Sequence, residues 1–158
     1  MSIFQKLSLV FMRVTIGWLC FYAGITKVLD PQWSSAGYLK GAKTATWFYQ
    51  WLIQPDVLPV VNFLNKWGLT LLGISLIFGI FVRLSSTLGA GLMFLYYLPV
   101  LTFPYIAPHS FLVDEHIIYI AVMCVLCCFR AGRVWGLDAW CLKLPLCSKY
   151  PKLRALIG

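Results

Sequence analysis

Three adjacent ionisable residues interrupt an otherwise apolar run in the stretch "LVDEHIIY", residues 112–119. They are Asp114, Glu115 and His116, and the uncharged segment "IAVMCVLCCF" follows them. Histidine changes its charge near neutral pH and can therefore take or give a proton. Tyr119 lies three residues after His116, so a helix would place both on about the same face. His116, Asp114, Glu115 and Tyr119 are therefore candidate catalytic residues for proton transfer.

A second set of side chains is expected to lie at the same depth as the 114–116 cluster. Two are lysines that flank apolar segments, and three are aromatic residues able to line a pocket: Lys27, Lys66, Trp67, Tyr96 and Tyr97. Together with the cluster they could form a polar pocket for an organic headgroup such as a quinone. The alternative is structural, in which Asp114 caps a helix and forms an ion pair with Lys27 or Lys66.

Arg13 is a charged residue within the apolar segment "FMRVTIG". A charge inside hydrocarbon costs several kcal/mol unless it reaches the headgroups or finds a partner. Arg13 could therefore extend to the membrane surface. It could instead point inward to hydroxyl groups, backbone carbonyls, a thiolate or a bound ligand, and in the last case it would be a ligand-binding residue.

The composition indicates the class of protein in which these residues must be positioned. Of 158 residues, 61% are hydrophobic and only 11% are charged, far from the ~25% charged residues of soluble domains. The formal net charge of +8 then indicates membrane topology and contact with anionic lipid rather than nucleic acid.

Four apolar segments predict an all-α membrane protein, a bundle of four transmembrane helices in a single domain of residues 1–158. The spans are expected at about residues 7–29, 63–82, 84–103 and 113–129, followed by a basic tail at 130–158. "AKTATWFYQWLIQ", between the first two spans, favours a helix lying in the membrane interface. The first span could also be a signal peptide, but Arg13 interrupts it and favours a retained helix.

Basic residues predict the orientation. The end with both termini carries eight: Lys6, Arg83, Arg130, Arg133, Lys143, Lys149, Lys152 and Arg154. The other end carries four: Lys27, Lys40, Lys43 and Lys66. We therefore expect the protein to lie in the inner membrane with both termini in the cytoplasm. The six cysteines, including Cys141 and Cys147 on the cytoplasmic side, imply no periplasmic disulfide framework.

Three stretches resemble the DoxX/DoxD family over about residues 10–140. Their pattern is R-x3-G-x6-G-x2-K-x2-D-P, then G-x5-G-x3-R, then V-D-x-H and A-G-R-x-W-G-L-D. The resemblance implies a four-helix membrane protein, one branch of the family being the membrane subunit of thiosulfate:quinone oxidoreductase. It also places the family's arginine on Arg13, its lysine on Lys27 and its polar helix start on Asp114 and His116.

The expected function is that of a quinone-interacting subunit of a membrane redox complex, which could couple thiosulfate oxidation to quinone reduction. Its expected partners are the lipid bilayer and a second oxidoreductase subunit, and a homo-oligomer is compatible with this view. The sequence contains no metal, haem or flavin motif. The alternative function is a non-catalytic membrane anchor or scaffold for a redox partner.

Overall fold

The computed structural model describes residues 1–107 and 109–141 and is mostly helical. Four long helices run along one another: α1 (Ile3–Leu29), α4 (Leu58–Phe78), α5 (Val82–Val100) and α6 (Glu115–Cys128). Two short helices, α2 (Ala36–Lys40) and α3 (Thr46–Leu52), lie between α1 and α4. After α6 come a 3-10 turn, Ala131–Arg133, and α7 (Leu137–Cys141).

The helices pack as two antiparallel pairs, α1 with α4 and α5 with α6. α1 begins, α4 ends, α5 begins and α6 ends at one side of the molecule, here called the terminal end. The opposite side, with α2, α3 and the α5–α6 connection, is called the connector end. The buried core between the pairs includes Cys20, Leu72, Leu76, Met123 and Leu126.

Local signals explain where the long helices begin and end. Ser2 and Gln5 form a capping box at the start of α1. Pro59 lies in the first turn of α4, where its missing N–H costs nothing, so this helix starts earlier than predicted. Gly79 ends it with φ +69, in the left-handed region that glycine favours. The tight turn is therefore at residues 79–81 and not at Arg83, which lies inside α5.

The connector end differs from the prediction in two respects. The stretch predicted as an interfacial helix is helical only in α3, and α2 is an additional short helix. The α5–α6 connection, which lies between the predicted spans at 84–103 and 113–129, contains a small antiparallel hairpin of β1 (Tyr105–Ala107) and β2 (Ser110–Phe111). Within residues 1–107 and 109–141 the architecture is thus all-α apart from this hairpin.

Two helices, α1 and α4, are long and apolar enough to cross a membrane. α6 is apolar but has only 14 residues, because its cap is Asp114 and the chain turns at Phe129. Large apolar side chains cover the outside of the helices, including Phe11, Trp18, Leu71, Leu88 and Phe94. Such a continuous apolar exterior fits contact with lipid.

Glycines allow the α1–α4 pair to approach closely. A Cβ at Gly24 would collide with the backbone of Thr70, and one at Gly73 would collide with the backbone of Phe21. Gly17 faces Leu76 and would bring a Cβ to 2.9 Å from that side chain. Two glycines of the α1 motif, Gly17 and Gly24, therefore mark the crossing of α1 and α4.

We expect Gly24→Ala to destabilise the protein by about 1–3 kcal/mol, because the added methyl group forces the α1 and α4 backbones apart. Thermal unfolding in detergent measures this effect. Gly68→Ala is the matched control, since a Cβ at Gly68 meets nothing within 4 Å. Equal melting temperatures for the two variants would contradict the close crossing.

Cys141, at the terminal end, is disulfide-bonded, whereas the expectation from the sequence concerned only a periplasmic disulfide framework. Cys20, Cys124, Cys127 and Cys128 are free. Cys147 and most of the predicted basic tail lie outside the described residues. Disulfides persist in oxidising compartments, so this bond bears on the orientation considered below.

Candidate functional site

A cavity of about 440 Å³ lies at the connector end, between the ends of all four long helices. Its polar side chains are Lys27 from α1, Asn65 from α4 and His116 with Glu115 from α6. Trp33, Tyr38 and Tyr96 supply aromatic walls, and Ser34, Ser35 and Val100 complete the lining. This volume is within the range of small-molecule binding sites.

The N-terminus of α6 fixes the histidine. Asp114 is the N-cap and accepts hydrogen bonds from the backbone N–H groups of His116, at 3.0 Å, and Ile117, at 3.2 Å. Its second carboxylate oxygen lies 2.6 Å from His116 Nδ1. Because the cap residue lies outside the helical turn, Asp114 can reach the imidazole although the two residues are only two positions apart. The predicted capping role of Asp114 is confirmed.

Asp114 does not form the predicted ion pair with Lys27 or Lys66. Within residues 1–107 and 109–141, its ion-pair partner is His116. Lys27 instead donates to Asn65 Oδ1 at 3.0 Å and lies 4.9 Å from the centre of the Trp33 ring. Lys66 donates to the carbonyl of Asp30 at 3.2 Å, near the same ring. Both ammonium groups therefore have nearer polar and aromatic partners than the carboxylate.

We expect Asp114→Asn to cost at most about 1 kcal/mol of stability, because the amide oxygen can still cap the helix. Asp114→Ala removes the cap and should cost more, about 0.5–2 kcal/mol. Thermal unfolding of the two variants side by side measures the difference. If Asn and Ala destabilise equally, the charge on Asp114 matters more than its capping oxygen.

Hydrogen bonds join the aromatic wall to the polar residues. Asn65 Nδ2 donates to the Tyr96 hydroxyl, and the Tyr38 hydroxyl donates to the carbonyl of Tyr96. Burial raises the pKa of Tyr38 to about 12, so this hydroxyl remains a proton-bearing donor at neutral pH. The Tyr96 and His116 rings meet edge to face, with centroids 6.1 Å apart. The cavity thus has a fixed wall next to the histidine.

The structure brings together only part of the predicted site. Four of the predicted residues line the cavity: Lys27, Tyr96, Glu115 and His116. Asp114 does not line it but contacts His116, which does. Tyr119 lies near the His116 ring and donates to Glu115 at 3.4 Å, but it lines a separate small cavity between α1 and α6. Tyr97 points away and donates to the carbonyl of Leu112 at 2.7 Å. Trp67 is 43% exposed and does not line the cavity.

Sequence reasoning missed Asn65, Trp33, Tyr38 and the two serines. Trp33 and Tyr38 belong to the α1–α4 connection, which folds back over the cavity. Ser35 is held there because its N–H and hydroxyl both donate to Asn62 Oδ1, at 2.9 and 2.7 Å. Asn65 had a usable signal, since an amide within an apolar helix seeks a polar partner.

Arg13 lies at the other end of the molecule and is 2% exposed. Its Nη1 donates to the carbonyls of Ala131, at 2.7 Å, and Val134, at 3.1 Å, and its Nη2 donates to that of Trp135 at 3.4 Å. Arg13 therefore points inward to backbone carbonyls, one of the alternatives predicted for it, and it does not line the connector-end cavity with Lys27. It joins α1 to the segment that follows α6.

Asp138 completes this terminal-end cluster and is fully buried. It accepts hydrogen bonds from the N–H groups of Phe81, at 2.7 Å, and Val82, at 3.1 Å, and so caps α5. Burial raises the pKa of Asp138, while these N–H groups and the charges of Arg13 and Arg133 oppose the rise. The sequence motif A-G-R-x-W-G-L-D thus forms the contacts that close the terminal end.

Four long helices, an apolar exterior and a polar cavity at one end define a helical membrane protein with a candidate small-molecule site. The family model of DoxX matches residues 8–101. The chain belongs to the DoxX family, whose members are integral membrane proteins. No curated protein and no solved structure matches the chain.

Proposed function

We propose that this protein is a quinone-interacting membrane subunit of a redox complex, with the quinone headgroup bound in the connector-end cavity. The observation that carries the proposal is the lining of that cavity, in which aromatic walls surround Lys27, Asn65 and His116. A quinone ring is flat and apolar with two carbonyl oxygens, so it needs aromatic surfaces and hydrogen-bond donors. The cavity offers both.

His116 is suited to supply protons to a quinone oxygen. Its Nδ1 is held by Asp114, which fixes the ring and leaves Nε2 to face a ligand. Among the described residues, Nε2 has no hydrogen-bond partner, whereas the ammonium group of Lys27 can stabilise negative charge on the oxygen. Reduction of a quinone to a quinol takes two electrons and two protons, and His116 would pass on protons taken from water.

The electron donor in this proposal is thiosulfate, bound with the help of a second subunit. Two thiosulfate ions joined through a new sulfur–sulfur bond release the two electrons that one quinone takes up. Lys27 and Lys66 support an anionic donor, because both ammonium groups lie within 6 Å of the centre of the Trp33 ring, and Trp33 lines the cavity.

Purification of the protein in mild detergent followed by solvent extraction tests the quinone proposal. We expect the wild-type protein to retain quinone, and Lys27→Leu, which removes a cavity donor, to retain at least several-fold less. Lys6→Leu, on the same helix but at the terminal end, is the matched control. Retention of no quinone by any form would favour the alternative, a non-catalytic anchor or scaffold for a redox partner.

We further propose an inner-membrane location with the terminal end in the cytoplasm. The excess of Lys and Arg at that end supports this orientation, whereas the disulfide of Cys141 is more typical of an oxidising compartment. Single cysteines at Ser2 and Ser110, in a background without native cysteines, test the proposal. An impermeant thiol reagent added to intact cells should label only the Ser110→Cys form, and labelling of only the Ser2→Cys form would reverse the orientation.

A further inference from the structure

Two apolar cavities lie between the connector-end cavity and the helical part of the molecule and share lining residues with their neighbours. The first, of about 250 Å³, lies beside α3 and shares Tyr38, Asn65 and Tyr96 with the polar cavity. The second, of about 490 Å³, lies between α4 and α5 and shares Leu92 with the first. The three cavities therefore lie one after another, and each neighbouring pair has at least one lining residue in common. We call the two apolar ones together the α4–α5 groove.

The helix packing explains why a groove forms here. α4 packs mainly on α1 and α5 mainly on α6, so α4 and α5 have far fewer contacts with each other. The gap is lined by Leu71, Leu72, Leu84, Leu88 and Leu92. From Leu95 to Leu84 the groove follows about 16 Å of α5, at 1.5 Å per residue. It runs from the side of the polar cavity towards the terminal end.

We infer that the α4–α5 groove binds the isoprenoid tail of the quinone whose headgroup occupies the connector-end cavity, so that the ligand class is a long-chain isoprenoid quinone. This inference rests on the proposed quinone function. Its support is the order of the walls, which are polar and aromatic at the connector end and mainly aliphatic beyond Leu92, where Ser75, Phe81 and Ser85 are the exceptions. A quinone with its tail has the same order of polar head and branched apolar chain.

The residue that lines both apolar cavities is a position where a substitution can test binding of the tail. Leu92 is half-buried and lines both apolar cavities, so a larger side chain there would obstruct the groove without touching the polar cavity. Leu88, one turn further from the cavity, is 62% exposed and lines only the second apolar cavity. Because Leu88 is exposed, a tryptophan at this position can be accommodated without disturbing the core. It would obstruct the groove at a point further from the polar cavity.

The test is the apparent Kd of the purified protein, with any subunit that copurifies, for quinones bearing one, four or eight isoprene units in mixed micelles. Comparing each variant with wild type at the same tail length removes the effect of partitioning into the micelle. For wild type we expect binding at least tenfold tighter with four units than with one. Leu92→Trp should weaken four-unit binding about tenfold and change one-unit binding less than twofold.

Leu88→Trp should also weaken four-unit binding and provides the test if Leu92→Trp fails to fold. Leu7→Trp is the control, because Leu7 is 51% exposed on α1 and lines neither the groove nor the polar cavity. Equal changes at every tail length, or none in both groove variants, would overturn the inference while leaving headgroup binding intact. Absence of binding of any quinone to wild type would overturn the proposed function as well.

Discussion

Arg13→Leu should lower the stability of the protein by about 3–5 kcal/mol, the cost of removing one partner from a buried charged cluster. The substitution leaves the carbonyls of Ala131, Val134 and Trp135 without the donor that joins them to α1. It also removes a positive charge near the buried carboxylate of Asp138. In detergent we expect a fall in melting temperature on the order of 10 °C.

Arg13→Lys separates the charge from the geometry. A lysine keeps the positive charge, but its compact ammonium group cannot reproduce the planar fork that contacts three carbonyls. We therefore expect partial rescue, with a melting temperature between those of wild type and Arg13→Leu. Lys6→Leu, which removes a cation from the same helix, should change little. Full rescue by lysine would show that the guanidinium network does not contribute to stability.

His116→Ala should reduce quinone reduction roughly 100-fold, within the range typical of a lost general acid. The fold should survive within about 1 kcal/mol, because the cap residue Asp114 remains. A histidine changes charge between about pH 5 and 8. The pH dependence of wild-type turnover in that range should therefore flatten in the variant. The measurement is quinone reduction by the purified complex in liposomes across pH 5–8.

Two neighbours provide controls for the histidine. Tyr119→Phe removes a hydroxyl that donates to Glu115 but belongs to a residue that does not line the cavity, so it should leave the rate and the pH profile nearly unchanged. Asp114→Asn keeps the helix cap but weakens the hold on Nδ1, so it should reduce the rate less than His116→Ala does. An unchanged pH profile in His116→Ala would exclude His116 as the proton donor and favour the scaffold alternative.

Much of the fold could be predicted from the sequence because hydrophobicity and helix-end signals are local. The composition of 61% hydrophobic and 11% charged residues indicated a membrane protein. Each of the four predicted spans corresponds to a helix, displaced by a few residues where Pro59, Gly79 and Asp114 set the ends. Among the helices that the structure describes, α1 and α4 meet the length and hydropathy of a membrane span, so the four-span topology stays a prediction.

The sequence also identified those candidate residues whose side-chain type alone indicates their role. A charge such as Arg13 within an apolar helix requires a special environment, and a carboxylate at a helix start is a natural cap. Both arguments depend on residue type and depth alone. These arguments could not identify the partners of Arg13. The carbonyls of Ala131, Val134 and Trp135 come within reach of Arg13 only when the chain after α6 packs against α1.

The tertiary structure decided which polar residues meet. The pairing of α1 with α4 brings Lys27 to Asn65, 38 positions away, and the pairing of α5 with α6 brings Tyr96 to His116. The folding back of the α1–α4 connection adds Trp33 and Tyr38 to the same cavity. Depth along a helix can be counted from sequence, but rotation about its axis and the course of a connection depend on packing between distant segments. For this reason the sequence determined the helices and the candidate charges, while only the packing could separate the cavity at His116 from the cluster at Arg13.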